Sequence, residues 1–277
     1  SDQPGATYQW FGPGITGATV SQQNPILTGM NAQSGEYTVL VTVGSCPSLP
    51  ASTDVIVTPP PVTNITGPNF CQGNVSTLNA SPGFESYIWG SGETTQNITI
   101  IAGGTYTVTV TDLAGCTASA TINITANPLP APAIAGNTTI CNGVATTLTA
   151  SGGNSYQWSN GTNAASINVT PLTTTTYTVT VTNANNCTAE TSTTVTVNPL
   201  PVPAVTGPGN ICIGSSATLT ASGGTSYQWS GGLGTKGTVN VTPVSTTTYT
   251  VTVTNAQGCT ASTTYQLIVN NSLSPNI

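Results

Sequence analysis

The chain predicts an all-β protein made of tandem antiparallel β-sandwiches, and three observations carry that expectation. Apolar and polar residues alternate with period two in segment after segment, as in YTVTVT at 106–111, 177–182 and 249–254; this is the pattern of a half-buried strand. The same words return about every 70 residues: Tyr-x-Trp ends on Trp10, Trp89, Trp158 and Trp229, and the threonine–valine ladders open at Tyr37, Tyr106, Tyr177 and Tyr249. Proline-rich joints, TPPPV at 58–62, NPLPAP at 127–132 and NPLPVP at 198–203, separate the repeats. A fixed period of this kind marks an array of modules, and helical periodicity is absent.

Residues 133–198 show how one module is written. AIAGNTT reads as a short edge segment, and VATTLTASG alternates as a strand after Cys141. SYQWS places Tyr156 and Trp158 on one face and Gln157 on the other, because side chains alternate across a strand. NGTNAA is a turn and SINVTP a further strand. In the ladder, Tyr177, Val179 and Val181 point inward while Thr178, Thr180 and Thr182 point outward. ETSTTVTVN closes the module. Six or seven short strands with turn signals between them predict a sandwich. The expected boundaries are an incomplete domain at 1–58 lacking its opening strands, domains at 59–127, 128–198 and 199–270, and a linker at 271–277 toward a further domain.

Each ladder ends in a cysteine: Cys46, Cys116, Cys187 and Cys259. A second set, Cys71, Cys141 and Cys212, precedes the tryptophan of its own repeat by 17 or 18 residues. With no histidine and acids scattered singly, such pairs read as disulfides rather than zinc ligands. The expectation is one structural bridge per complete domain: Cys71–Cys116, Cys141–Cys187 and Cys212–Cys259. Each would close a loop of about 46 residues, worth roughly 4 kcal/mol at most in the chain-entropy model. Cys46 is left unpaired, its mate expected upstream of residue 1. That suggests a window cut from a longer array, the rival being completion of the first module by strand addition from a neighbouring molecule. Disulfides imply an oxidising, extracellular location.

Composition removes most chemistry. The 277 residues carry seven acids and one cation, Lys236, and charged residues are 3% of the chain, against roughly 25% in average soluble domains. Acid–base catalysis and metal binding lean on residues that are rare here, so no catalytic residue, metal ligand or cofactor is expected. One cation cannot neutralise a phosphate backbone, so nucleic acid is not a partner. No apolar run approaches the ~20 residues of a membrane span.

Trp10, Trp89, Trp158 and Trp229 admit two readings, a sugar-binding aromatic platform or core. Tyr and Trp at i and i+2 share a face, and the position matches the buried tryptophan of sandwich domains. Core is therefore expected for them and for Tyr37, Tyr106, Tyr177 and Tyr249; SGEY and GGTY resemble tyrosine corners and TTTY a looser version. The T-x-T rows could match an ice lattice or bond a polysaccharide, but threonine is also a strong strand former that keeps an uncharged surface wet. Asn-x-Ser/Thr sequons at Asn64, Asn97, Asn123, Asn168 and Asn240 arise from composition and need carry no glycan.

The pattern C-x-G…L-x-A-S-G-G…Y-Q-W…Y-T-V-T-V-T…C-T-A, carried by Cys141, Gly143, Tyr156, Trp158, Tyr177 and Cys187 and repeated at 71–116 and 212–259, resembles the Ig-like and PKD-like repeats of Bacteroidota surface proteins. The first module looks like a sister subtype with a longer insert between Trp10 and Tyr37. The resemblance implies tandem Ig-like sandwiches in a type IX-secreted, adhesin-like array. The expected function is a non-catalytic stalk or filament segment at the cell surface, meeting surface glycans or other copies of itself. The alternatives are a carbohydrate-binding or spacer region of a secreted polysaccharide-degrading enzyme, or a subunit of a self-assembling filament or sheath.

Overall fold

The computed structural model describes residues 4–15, 23–26 and 33–271. Among these residues, apart from one short 3-10 turn at Ser230–Gly232, the regular elements are all strands, and they form Ig-like β-sandwiches. Among the described residues, no helix is long and apolar enough to cross a membrane. The chain divides into two compact units, Ser1–Ala126 and Asn127–Ile277.

The second unit holds two sandwiches of the same plan. In the first, Ala133–Gly136, Thr146–Ser151 and Ser166–Val169 form an antiparallel sheet. Facing it is a four-stranded sheet in the order Thr139–Cys141, Thr188–Asn198, Thr175–Thr182, Ser155–Trp158. We call these the opening, closing, ladder and tryptophan strands. The opening strand runs parallel to the far end of the closing strand, with Cys141 opposite Asn198; the other pairs in this sheet are antiparallel. The period-two pattern fixes this register, since slipping by one residue would turn every valine to solvent. Ile140, Leu148, Trp158, Ile167, Tyr177, Val179, Val181 and Val195 fill the space between the sheets. Full burial of each such aliphatic side chain is worth about 1.5–3 kcal/mol. The last sandwich repeats the plan with the opening strand Asn210–Cys212 parallel to Thr260–Asn270 and a core around Leu219, Trp229, Val251, Val253 and Leu267.

The A-S-G-G motif has a packing cause. Gly152 and Gly223 sit at φ +100 and +99, where an L side chain is strained. A Cβ there would also press into the linker carbonyls of Ala131 and Val202, respectively. The turn thus clamps the linker backbone at the head of each of these sandwiches.

In the first unit, residues 59–126 build a sandwich around Leu78, Trp89, Ile98, Val108, Val110 and Ile124. Ahead of it lies a single sheet in which Gly35–Val43 pairs with Ala6–Phe11, Cys46–Pro47 and Ala51–Val55. Among the described residues this sheet has no facing sheet and no opening strand on the outer edge of Ala51–Val55.

Candidate functional site

The tryptophans follow the inward face of their strands. Trp89, Trp158 and Trp229 are 1%, 2% and 2% exposed. A buried indole N–H needs a partner, and each finds a carbonyl just beyond its strand: Thr95, Ala164 and Lys236, at 2.8, 3.0 and 2.9 Å. Tyr37, Tyr177 and Tyr249 are buried, Tyr106 packs at the edge of its core, and Trp10 is partly exposed. The Tyr106 hydroxyl donates to the Ala102 carbonyl at 2.7 Å, as a tyrosine corner does. The Tyr37 hydroxyl lies within reach of two carbonyls, Gln33 at 2.7 Å and Pro13 at 2.8 Å, and donates to one at a time. None of the three buried indoles presents a face to a sugar ring.

The outward threonines bond to facing polar side chains across the strands. Thr176 Oγ1 and Thr194 Oγ1 are 2.8 Å apart, Thr180 donates to Glu190 at 2.7 Å, and Thr252 and Ser262 are 2.9 Å apart. Such cross-strand pairs each add a few tenths of a kcal/mol and satisfy the hydroxyls within the sheet. Glu93, on an exposed turn, has its carboxyl held below the usual range by hydrogen bonding to the Ser91 side chain. No group of three or more His, Cys, Asp or Glu side chains is gathered among the described residues.

The cysteines depart from the sequence expectation, and their departure defines the site. Cys141 bonds to Cys259, with Cα atoms 5.6 Å apart and 118 residues between them. The expected bridges Cys141–Cys187 and Cys212–Cys259 are therefore not formed. Cys71–Cys116 is not formed either, because Cys116 is a free thiol while Cys71 and Cys187 are both disulfide-bonded. The reason is the parallel opening strand. Cys187 stands just before the closing strand Thr188–Asn198, and Cys141 is aligned with its last residue. Eleven extended residues at ~3.3 Å each hold the two thiols roughly 30 Å apart, whereas a disulfide needs Cα atoms within about 7 Å. The same geometry separates Cys212 from Cys259 along Thr260–Asn270. One bridge per domain thus gives way to a bridge between domains. Cys46, Cys116 and Cys212 are free, the first and last exposed.

The linker prepares this joint. Asn255 donates from Nδ2 to the Pro199 carbonyl at 2.8 Å, one residue past the Asn198 that faces Cys141. Its Oδ1 accepts from the backbone N–H of Gln257 at 3.1 Å and of Cys259 at 2.9 Å. One side chain therefore shapes the turn, presents Cys259 and grips the linker. Asn183 does the same one module earlier, bonding Pro128 at 2.9 Å and the Cys187 N–H at 3.1 Å. The recurring N-x-x-x-C and N-P-L-P words were the signal for this joint, and they were legible as words without their contact being so. Two further features stand apart. An apolar groove of about 420 Å³ is lined by Trp10, Ile15, Tyr37, Val55 and Val57 among others. A polar hollow of about 280 Å³ is formed by Gln157, Ser159, Thr178, Thr180 and Glu190 beside Trp158.

No protein-family model and no curated protein matches the chain. Solved structures do, at low identity. A Ca2+-stabilised adhesin that helps an Antarctic bacterium reach out and bind ice aligns with 96% of this chain and 90% of its own, at 15% identity and TM-score 0.42. A structure concerned with host cell surface retention of a 1.5-MDa bacterial ice-binding adhesin aligns with 77% of this chain and 99% of its own, at 15% identity and TM-score 0.33. Immunoglobulin domains 1–5 of Sidekick-1 align with 97% and 73%, at 15% identity and TM-score 0.28.

Proposed function

We propose that the chain is a non-catalytic segment of an extracellular, adhesin-like array, a spacer that carries a binding tip away from a bacterial surface. The observation that supports this most is the Cys141–Cys259 bridge across the proline joint. A free linker lets tandem domains swing; a covalent bond beside it, with Asn255 on Pro199, restricts that freedom at this joint. The bridge also requires an oxidising location, and the resemblance of the repeats to Bacteroidota surface proteins suggests type IX export. Surface glycans or other copies of the chain are the partners this reading implies. A spacer or carbohydrate-binding role in a polysaccharide-degrading enzyme is the weaker reading, because the three buried tryptophans remove the aromatic platform it would use. A filament subunit is favoured by one observation, the unpaired edge of Ala51–Val55 among the described residues.

Low-magnification imaging of native material labelled by an antibody to this chain tests the proposal. Isolated threads at the cell surface support the spacer, regular fibres support the filament, and label confined to the cell interior overturns both. Protease resistance is a second readout. Lys236 is the one site for trypsin, and it lies inside the loop closed by Cys141 and Cys259. After prolonged digestion, a non-reducing gel is expected to show an intact chain, with two fragments appearing only on reduction. Appearance of the two fragments without reductant would contradict the bridged joint.

A further inference from the structure

Cys116 is built like a cysteine that has a partner. Its backbone N–H donates to Asp112 Oδ1 at 2.9 Å, as those of Cys187 and Cys259 do to Asn183 and Asn255 at 3.1 and 2.9 Å. Both of those counterparts are disulfide-bonded, while Cys116 is free. The bond formed by Cys259 shows where a partner sits: Cys141 is aligned with Asn198, the last residue of the preceding closing strand.

Register identifies the corresponding residue ahead of Cys116. Tyr177 pairs with Thr193 and Tyr37 with Thr53. Five residues further on, Asn198 therefore corresponds to Thr58. The Thr58 hydroxyl already lies 3.7 Å from the Cys116 sulfur. The thiol thus waits beside the residue with which a partner cysteine would align.

The sheet itself carries the third observation. Residues 196–198 and 268–270 are strand because an opening strand pairs with them. Residues 56–58, at the same place, are not strand, although Val57 is held to Ser34 by the bonds that Val197 and Thr174 echo. Beside that edge, the apolar groove lined by Trp10, Tyr37, Val55 and Val57, with Ile15, Asn24 and Pro25 at its wall, lies on the face that the second sheet covers in the later modules.

We infer that Cys116 is one half of a joint disulfide, and that the other half is the cysteine of an opening segment of this repeat type, of the class written AIAGNTTICNGVATTLTAS at 133–151. The segment pairs parallel to residues 56–58 and lays its apolar face into the groove. Each of the two thiols gives up its proton and one electron as the S–S bond forms. An external disulfide such as oxidised glutathione takes up both electrons and both protons and leaves as two thiols. The inference holds whether or not the array adheres to anything.

The test incubates the whole chain with a synthetic peptide of that sequence and oxidised glutathione, and maps adducts by mass spectrometry without reduction. The peptide is expected on Cys116 at least tenfold faster than on the more exposed Cys46 and Cys212, with amide-exchange protection gained at 55–58. A scrambled peptide that keeps its cysteine loses both effects. Adducts spread over the three thiols, or equal preference from the scrambled peptide, overturn the inference. Unreduced peptide mapping of native material supplies a second arm. A C-x-G segment on Cys116, from the same polypeptide or from a second copy, supports the inference and names the source. A free thiol there, or a cysteine of another sequence class, overturns it.

Discussion

The first sheet and the sandwich of residues 133–198 are written in nearly the same words and paired in the same register. Tyr8 and Trp10 lie opposite Val41 and Val39, just as Tyr156 and Trp158 lie opposite Val181 and Val179. Their fates differ. Val179 and Val181 are fully buried and Trp158 is 2% exposed, whereas Val39, Val41 and Trp10 stay partly exposed. Alternation and turns set which residues pair and which way they point. Burial is conferred by a second sheet, which the later sandwiches have and the first sheet lacks among the described residues.

The largest test of this contrast is a pair of truncations. Trp158→Ala empties a closed core and is expected to destabilise its sandwich by about 3–5 kcal/mol. Trp10→Ala, on the partly open face, should cost less than half as much. Denaturant unfolding followed by module-resolved hydrogen exchange reads both, and equal losses would break the comparison. Replacing Cys141 and Cys259 together by serine is expected to lower the stability of the second unit by about 2–4 kcal/mol, leaving exchange in residues 35–55 unchanged. Asn255→Ala should cost about 1–2 kcal/mol, since it strips the bonds to Pro199 and to the Cys259 N–H and leaves partly buried backbone groups unmet. It should also slow reoxidation of the bridge, measurable by trapping free thiols during refolding. The smallest effect concerns Glu93. Because its folded carboxyl is held below its ordinary value, its stabilising contribution is complete above the ordinary carboxylate range and is lost as pH falls from there through the lowered folded value. Glu93→Gln should flatten that acid limb slightly in a pH series of melting curves.

Much of the fold could be read from residues that act locally. Period-two alternation placed the strands, and the Tyr-x-Trp words placed side chains that do lie inward. The cysteine pairing could not be read this way, because it depends on a non-local fact. The short segment ending at Cys141 runs parallel to the far end of the closing strand, so two cysteines 46 residues apart in one module lie at opposite poles of it. Their spacing alone fits a bridge within the module equally well. Nor does counting favour the observed arrangement: pairing within modules leaves only Cys46 over, whereas the structure leaves Cys46, Cys116 and Cys212 free. The candidate joint was thus legible in its components and hidden in its connection.

The bond between Cys141 and Cys259 also sets what the chain does when drawn out by its ends. Of the last two sandwiches, only the residues outside the bridge can be paid out as slack. The 118-residue span it closes would otherwise release roughly 400 Å of contour length at ~3.4 Å per residue. That hidden length becomes accessible only when the sulfur–sulfur bond is reduced. The extensibility of this part of the molecule is therefore a redox variable, set by the thiol chemistry around it rather than by the strength of its sheets.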